Sequence, residues 1–330
     1  MKERVFVFVL GAFLILGIFS TGEADTILFP VIAQNQPNVT TIVSVINRPG
    51  GASTNLHYIY RLKDTFVGGD PTQPNISGTC ASVSFTRPTF DGDLVSFDVS
   101  GLMNTGNALF GDTNSYGGTF STSTTGAKRA YLLVSNSNAS GTRVDVGNNI
   151  DLGGEAILLD LVFGAAWRYR GINDGTREDY TFVNANSGGG VVSALPSAGF
   201  DSRRFTFFPP SSWSTRFFIT PICANMDSAN CAATVNLIST GAVDEGVYDR
   251  NGTRFTFTAI DKSVVCTAGL DLIDLLDSTT RAAVANIGGW SWIRVASGDA
   301  IIFKLEFANP PDPPFGAINN GYLLSTTALP

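Results

Sequence analysis

With 44% hydrophobic residues in 330 and 15% charged residues where about 25% is usual, the chain can bury a full core, which excludes intrinsic disorder. Its 21 Lys and Arg are outnumbered by 28 Asp and Glu, for a net charge of −7, and the basic residues are scattered. Affinity for nucleic acid and for anionic lipid comes from clustered cations, so both are disfavoured as partners.

The first 24 residues read as a secretory signal peptide. Met1-Lys2-Glu3-Arg4 is a charged opening, residues 5–19 are apolar, and Gly22 and Ala24 are small at the recognition positions of a signal peptidase. An apolar run of that length is shorter than the ~20 residues that cross a bilayer. Cleavage after Ala24 is therefore expected, with no integral membrane segment afterwards and an extracellular, cell-surface or periplasmic destination.

Beyond the signal, short Val, Ile, Phe, Tyr and Thr runs alternate with Gly, Asn, Asp and Ser clusters, the habit of antiparallel sheets. The expected fold is all-β, with two antiparallel β-sandwich-like units at 25–149 and 213–308. Residues 150–212 form a connecting β region, and 309–330 a proline-rich linker and tail. In the first unit, Arg48-Pro49-Gly50-Gly51 reads as a turn. The next strand places Leu56, Tyr58, Tyr60 and Leu62 inward and His57, Ile59, Arg61 and Lys63 outward. His57 is the only histidine, and no GxSxG elbow accompanies it, so it reads as a solvated strand residue. Ser84–Arg87 and 94–99 read as strands around the Asp91-Gly92 turn signal. Residues 111–126 form a Gly/Ser/Thr/Asn-rich loop.

In the connecting region, 154–163 has an apolar centre that fits a strand covered on both faces. Asn173-Asp174-Gly175-Thr176-Arg177-Glu178-Asp179 lacks the EF-hand pattern and reads as an acidic hairpin. Gly188-Gly189-Gly190 lacks the Lys-Ser/Thr ending of a phosphate-binding loop. No cofactor or metal is called for.

In the second unit, Arg254–Ala259 alternates, with Phe255, Phe257 and Ala259 inward. Asp271, Asp274 and Asp277 would make one acidic face of a short helix. After it, Asn309-Pro310-Pro311-Asp312-Pro313-Pro314 cannot continue a central strand, and the tail beyond it can close an edge of its own molecule or of a neighbour.

The two units invite superposition. Phe29–Gln34 matches Thr220–Asn225 with proline on proline, 42–47 matches 234–239, 56–60 matches 255–259, and Cys80–Val83 matches Cys266–Gly269. This is either a divergent internal repeat or a shared strand pattern.

Four cysteines, Cys80, Cys223, Cys231 and Cys266, suit an oxidising compartment. Cys80 is the only one in the first half, so complete pairing sends it across. The favoured arrangement is Cys223 with Cys231 and Cys80 with Cys266.

Gly288-Gly289-Trp290-Ser291-Trp292-Ile293-Arg294-Val295 is the most suggestive local feature. Alternation puts Trp290, Trp292 and Arg294 on one face and Ile293 and Val295 on the other. If the second set is inside, the first is an outward strip suited to a sugar or a protein partner. The default expectation is the reverse, with both indoles in the core or between the units.

The functional expectation is a secreted, non-enzymatic structural or adhesive protein of the cell surface that acts through rigid β modules by self-assembly or by holding a surface protein or glycan. The alternatives are a carbohydrate-binding sandwich, marked by Trp290 and Trp292, and a glycoside hydrolase with two facing carboxylates. Sequons at Asn38, Asn75, Asn138 and Asn251 matter only where the host glycosylates.

Overall fold

A computed structural model describes residues 26–34, 39–47, 55–63, 80–99, 128–142, 152–160, 165–173, 202–223, 226–227, 230–241, 245–308 and 324–325. Expectations for the signal peptide, the 48–53 turn, the 111–126 loop, the acidic hairpin beyond Asn173, Gly188–Gly190, the 309–314 linker and the sequons at Asn38 and Asn75 fall outside these residues. Among the described residues no helix is long and apolar enough to cross a membrane.

The chain is nearly all β. The first half contributes β1 (Thr26–Gln34), β2 (Val39–Asn47), β3 (Asn55–Lys63), β4 (Ala81–Pro88), β5 (Leu94–Asp98), β6 (Lys128–Ser137), β7 (Leu152–Asp160), β8 (Ala165–Arg170) and β9 (Ile172–Asn173). The second contributes β10 (Ser202–Phe207), β11 (Trp213–Ile222), β12 (Ala232–Leu237), β13 (Val247–Asp249), β14 (Arg254–Phe255), β15 (Lys262–Val265), β16 (Ala268–Asp271), α1 (Ser278–Val284), β17 (Gly289–Ser297), β18 (Asp299–Ala308) and β19 (Leu324–Ser325).

These strands make four antiparallel sheets. In the first half, order β4-β3-β6-β1-β9 faces order β5-β2-β7-β8, with Tyr58 meeting Phe97 edge-on at 5.5 Å between ring centroids. In the second, β16-β11-β18-β19 faces β14-β13-β17-β12-β15, with β10 also paired to β17. The 150–212 region is thus divided: β7, β8 and β9 join the first half's sheets, while β10 belongs to the second half's outer sheet.

Alternation sorts the side chains of β11 and β18 to two cores. Phe217, Ile219, Ala300 and Ile302 fill the second half's own core, whereas Phe218, Ile222, Ile301, Phe303 and Leu305 join the core of the first half. Tyr169 packs on Phe303 at 5.4 Å, and the Thr220 hydroxyl donates to the Pro30 carbonyl at 2.6 Å. The Cys80–Cys266 and Cys223–Cys231 disulfides flank this junction.

The junction corrects the reading of β3. Ile59, Arg61 and Lys63 are not solvated but buried, as are Leu56, Tyr58, Tyr60 and Leu62. The second half reaches over that sheet: Arg61 Nη2 donates to Asn230 Oδ1 at 2.7 Å, and the Tyr131 hydroxyl donates to the Met226 carbonyl at 2.6 Å. His57 is half-buried beside the 138–142 turn, and burial lowers its pKa against the opposing pull of Asp227, which keeps the ring neutral at pH 7.

Three further expectations change. β4 and β5 do not form a hairpin: β4 pairs with β3 and β5 with β2, so the Asp91-Gly92 turn carries the chain from one sheet to the facing one. The 254–259 segment keeps only the two-residue β14, so the third match between the halves does not carry over to structure. Asp271, Asp274 and Asp277 share no helix face. Asp271 is buried and takes two hydrogen bonds from Arg216, at 2.7 and 3.1 Å, while Asp274 closes a 3-10 turn and Asp277 caps α1 by accepting from the Thr280 N–H.

Candidate functional site

The face of interest is built on β17, a nine-residue strand flanked by β10 on one edge and by β13 and β12 on the other. Ser291, Ile293 and Val295 are buried, so the alternation turns Trp290, Trp292 and Arg294 outward. This reverses the default expectation that the indoles are core residues. The physical reason lies in β10. Phe205 and Phe207 fill the core position beside β17, Phe205 meeting Phe217 edge-on at 5.1 Å, and Arg204 and Thr206 are left outward.

Outside, the planar groups stack in a row across three strands. Tyr248 of β13 lies parallel to Trp290, 3° off and 4.1 Å away. On β10, Arg204 stands opposite Trp292, and its guanidinium carbon sits 5.2 Å from the Trp290 centroid and 4.6 Å from that of Trp292. Trp290 is therefore held between Tyr248 and Arg204, and Arg204 between two indoles. Each cation–π contact is worth about 0.5–1 kcal/mol at an exposed site, so the row is set before any partner arrives. The far end is polar: Arg294 Nε donates to Asn236 Oδ1 at 2.8 Å, and Asn236 in turn donates to Asp261 at 2.5 Å.

Close approach of β13 to β17 depends on Gly289. A Cβ there would lie 1.9 Å from the Tyr248 carbonyl oxygen. Gly289→Ala is expected to pry β13 from β17 and break the Tyr248–Trp290 stack, at a cost of about 1–3 kcal/mol. Near-UV circular dichroism with thermal unfolding checks this, and an unchanged aromatic signal would contradict it.

Beside the row lies a surface groove of about 310 Å³, bordered by Thr206, Phe208, Pro209, Arg250, Ile287 and Trp290. Phe208 is 42% exposed and packs its other side on Trp213 at 4.9 Å. Comparison with known proteins finds no matching family model, curated protein or solved structure. The site's own geometry therefore carries the functional reading.

The structure brings Trp290, Trp292 and Arg294 onto one face, and it joins Cys80 to Cys266 and Cys223 to Cys231. Arg204, Tyr248 and Arg250 are the residues the sequence reading passed over. The signal for Arg204 was present in the alternation of Arg204, Phe205, Thr206 and Phe207, which repeats the in–out rhythm of β17.

Proposed function

We propose that this is an exported, non-enzymatic structural or adhesive protein of the cell surface or extracellular medium, which works by presenting a rigid β face to a surface partner. The observation that carries this reading is the outward Tyr248–Trp290–Arg204–Trp292 row, a large amphipathic surface whose rings are ordered by one another. Tyr, Trp and Arg are the residues that dominate binding energy at interfaces, and prior ordering cuts the entropy lost on association. Two disulfides suit an oxidising, extracytoplasmic compartment.

A carbohydrate partner is the second reading, favoured by the groove at Trp290. It differs from a simple stacking platform, because both faces of Trp290 are occupied and a sugar ring would have to displace Arg204 to lie on it.

The test is retention of fluorescently labelled protein, residues 25–330, on the cells that produce it and on the matrix they deposit. Retention that falls about tenfold or more with Trp292→Ala is expected. Protein retained on neither surface, and monomeric by light scattering at high concentration, would overturn the proposal.

A further inference from the structure

Resting on that reading, we infer that the partner chemistry is an acidic saccharide, a pyranose carrying a carboxylate or sulfate, seated in the Trp290 groove with its anion between Arg204 and Arg250. Three observations converge on this.

The first is charge. The protein carries a net charge of −7, yet three arginines, Arg204, Arg250 and Arg294, are exposed on this face. Arg204 and Arg250 are both exposed, and among the described residues neither has a carboxylate in an ion pair. Arg294, also exposed, is held at the far end of the row, its Nε bonded to Asn236, which also holds the Asp261 carboxylate. Arg250 lines the groove, and Arg204 lies over Trp290 at its border, so two unpaired guanidinium groups stand beside it.

The second is geometry. The two indoles flank the Arg204 guanidinium carbon at 5.2 and 4.6 Å and restrain the group, leaving its N–H groups to meet an anion. A guanidinium fixed in plane is suited to two parallel hydrogen bonds to a carboxylate or sulfate. Arg250 lines the groove itself, together with the apolar Phe208, Pro209 and Ile287. A pyranose has this pattern in reverse: an apolar C–H face with hydroxyls and an acid group at its edge.

The third sets a saccharide above an acidic peptide. An extended peptide gains its affinity from backbone hydrogen bonds to a strand edge. At the groove the chain has left β10 for Phe208-Pro209-Pro210, and the two prolines have no N–H to offer there. A saccharide needs no such ladder.

The experiment is isothermal titration of the intact protein with four probes: hexagalacturonate, a sulfated heparin hexasaccharide, neutral cellohexaose and a poly-glutamate peptide of equal charge. At least one acidic saccharide is expected to bind about tenfold or more tightly than cellohexaose and poly-glutamate, with affinity falling as salt rises. The two acidic arms separate carboxylate from sulfate recognition. Arg250→Gln, which leaves the stacked row intact, and Arg204→Gln are each expected to weaken binding about tenfold. Arg204→Lys keeps the charge but loses the plane and is expected to recover only part of it. Near-UV circular dichroism confirms that each variant is folded.

Equal binding of cellohexaose, binding of poly-glutamate at the same strength, no binding of either acidic saccharide, or indifference to both arginine substitutions would each overturn the inference. Surface retention that persists while the saccharides fail would sink this inference alone, leaving the adhesive reading standing.

Discussion

Replacing Cys80 and Cys266 by serine is expected to lower stability by up to about 5 kcal/mol, and the melting temperature by about 10 °C, whereas the same change at Cys223 and Cys231 is expected to cost about half as much. The difference follows from loop length. Cys80–Cys266 spans 186 residues and Cys223–Cys231 spans 8, and the chain entropy removed from the unfolded state grows with the logarithm of the loop. The long closure also ties β4 of the first half to the β15–β16 turn of the second, across the core that Phe218, Ile301 and Phe303 share with the first half. Its removal is therefore expected to broaden unfolding as well, because the halves can then separate before either melts. Differential scanning calorimetry reads both effects. Equal losses for the two pairs, or a transition as sharp as that of the parent, would contradict the picture of two halves locked as one body.

Substituting one member of the Lys304–Glu306 pair is expected to cost about 3–5 kcal/mol, and replacing both by apolar residues to restore most of it. Both lie on β18 and are almost wholly buried, with Nζ to Oε1 at 2.7 Å. Lys304 also donates to the Thr206 carbonyl of β10 at 2.5 Å, and Glu306 accepts from the Thr215 hydroxyl at 2.6 Å. Either partner alone is an uncompensated charge between two sheets, whereas Lys304→Met with Glu306→Leu leaves no charge to solvate. Because Thr206 sits two residues from Arg204, the single substitutions are also expected to weaken the aromatic circular dichroism of the stacked row. A double variant no more stable than the worse single one would show that the pair is not what the site needs.

The pair has a pH signature. Burial raises the pKa of Glu306, and the Lys304 charge and the hydrogen bonds from Lys304 and Thr215 oppose that shift without cancelling it. With the folded value above the unfolded one, the native state holds its proton to higher pH. The contribution is present in full below the ordinary carboxylate value of about 4.5 and is lost as pH rises through the folded value. In the Lys304→Met variant only the Thr215 hydrogen bond is left to offset burial of the charge, so the loss with rising pH should steepen.

The all-β class was legible because alternation and turn residues are local, and the cross-half disulfide because one cysteine stood alone in its half. The burial of both faces of β3 was not legible. Arg61 and Lys63 look like solvent residues, yet both are buried, and Arg61 is met by Asp227 and Asn230, far away in sequence. The face of β17 was undecidable for a related reason: Trp290 and Trp292 on one side and Ile293 and Val295 on the other are both apolar sets. What settles the matter is β10, about 90 residues earlier, whose phenylalanines take the core and whose Arg204 gives the indoles a partner outside. In the same way, the prediction of an acidic helix face failed because Asp271 answers to Arg216 on β11, 55 residues away, rather than to its neighbours.

The central claim, an exposed indole–arginine surface that attracts anions on an acidic protein, is tested most directly by quenching tryptophan fluorescence with iodide and with caesium at equal ionic strength. Trp167 is buried, and Trp213, Trp290 and Trp292 are half-buried, so two of the three accessible indoles belong to the row. Stronger quenching by iodide than by caesium, against the sign of the net charge, with the gap closing in Arg204→Gln, is the predicted result. Preferential quenching by caesium, or a gap indifferent to Arg204, would contradict it.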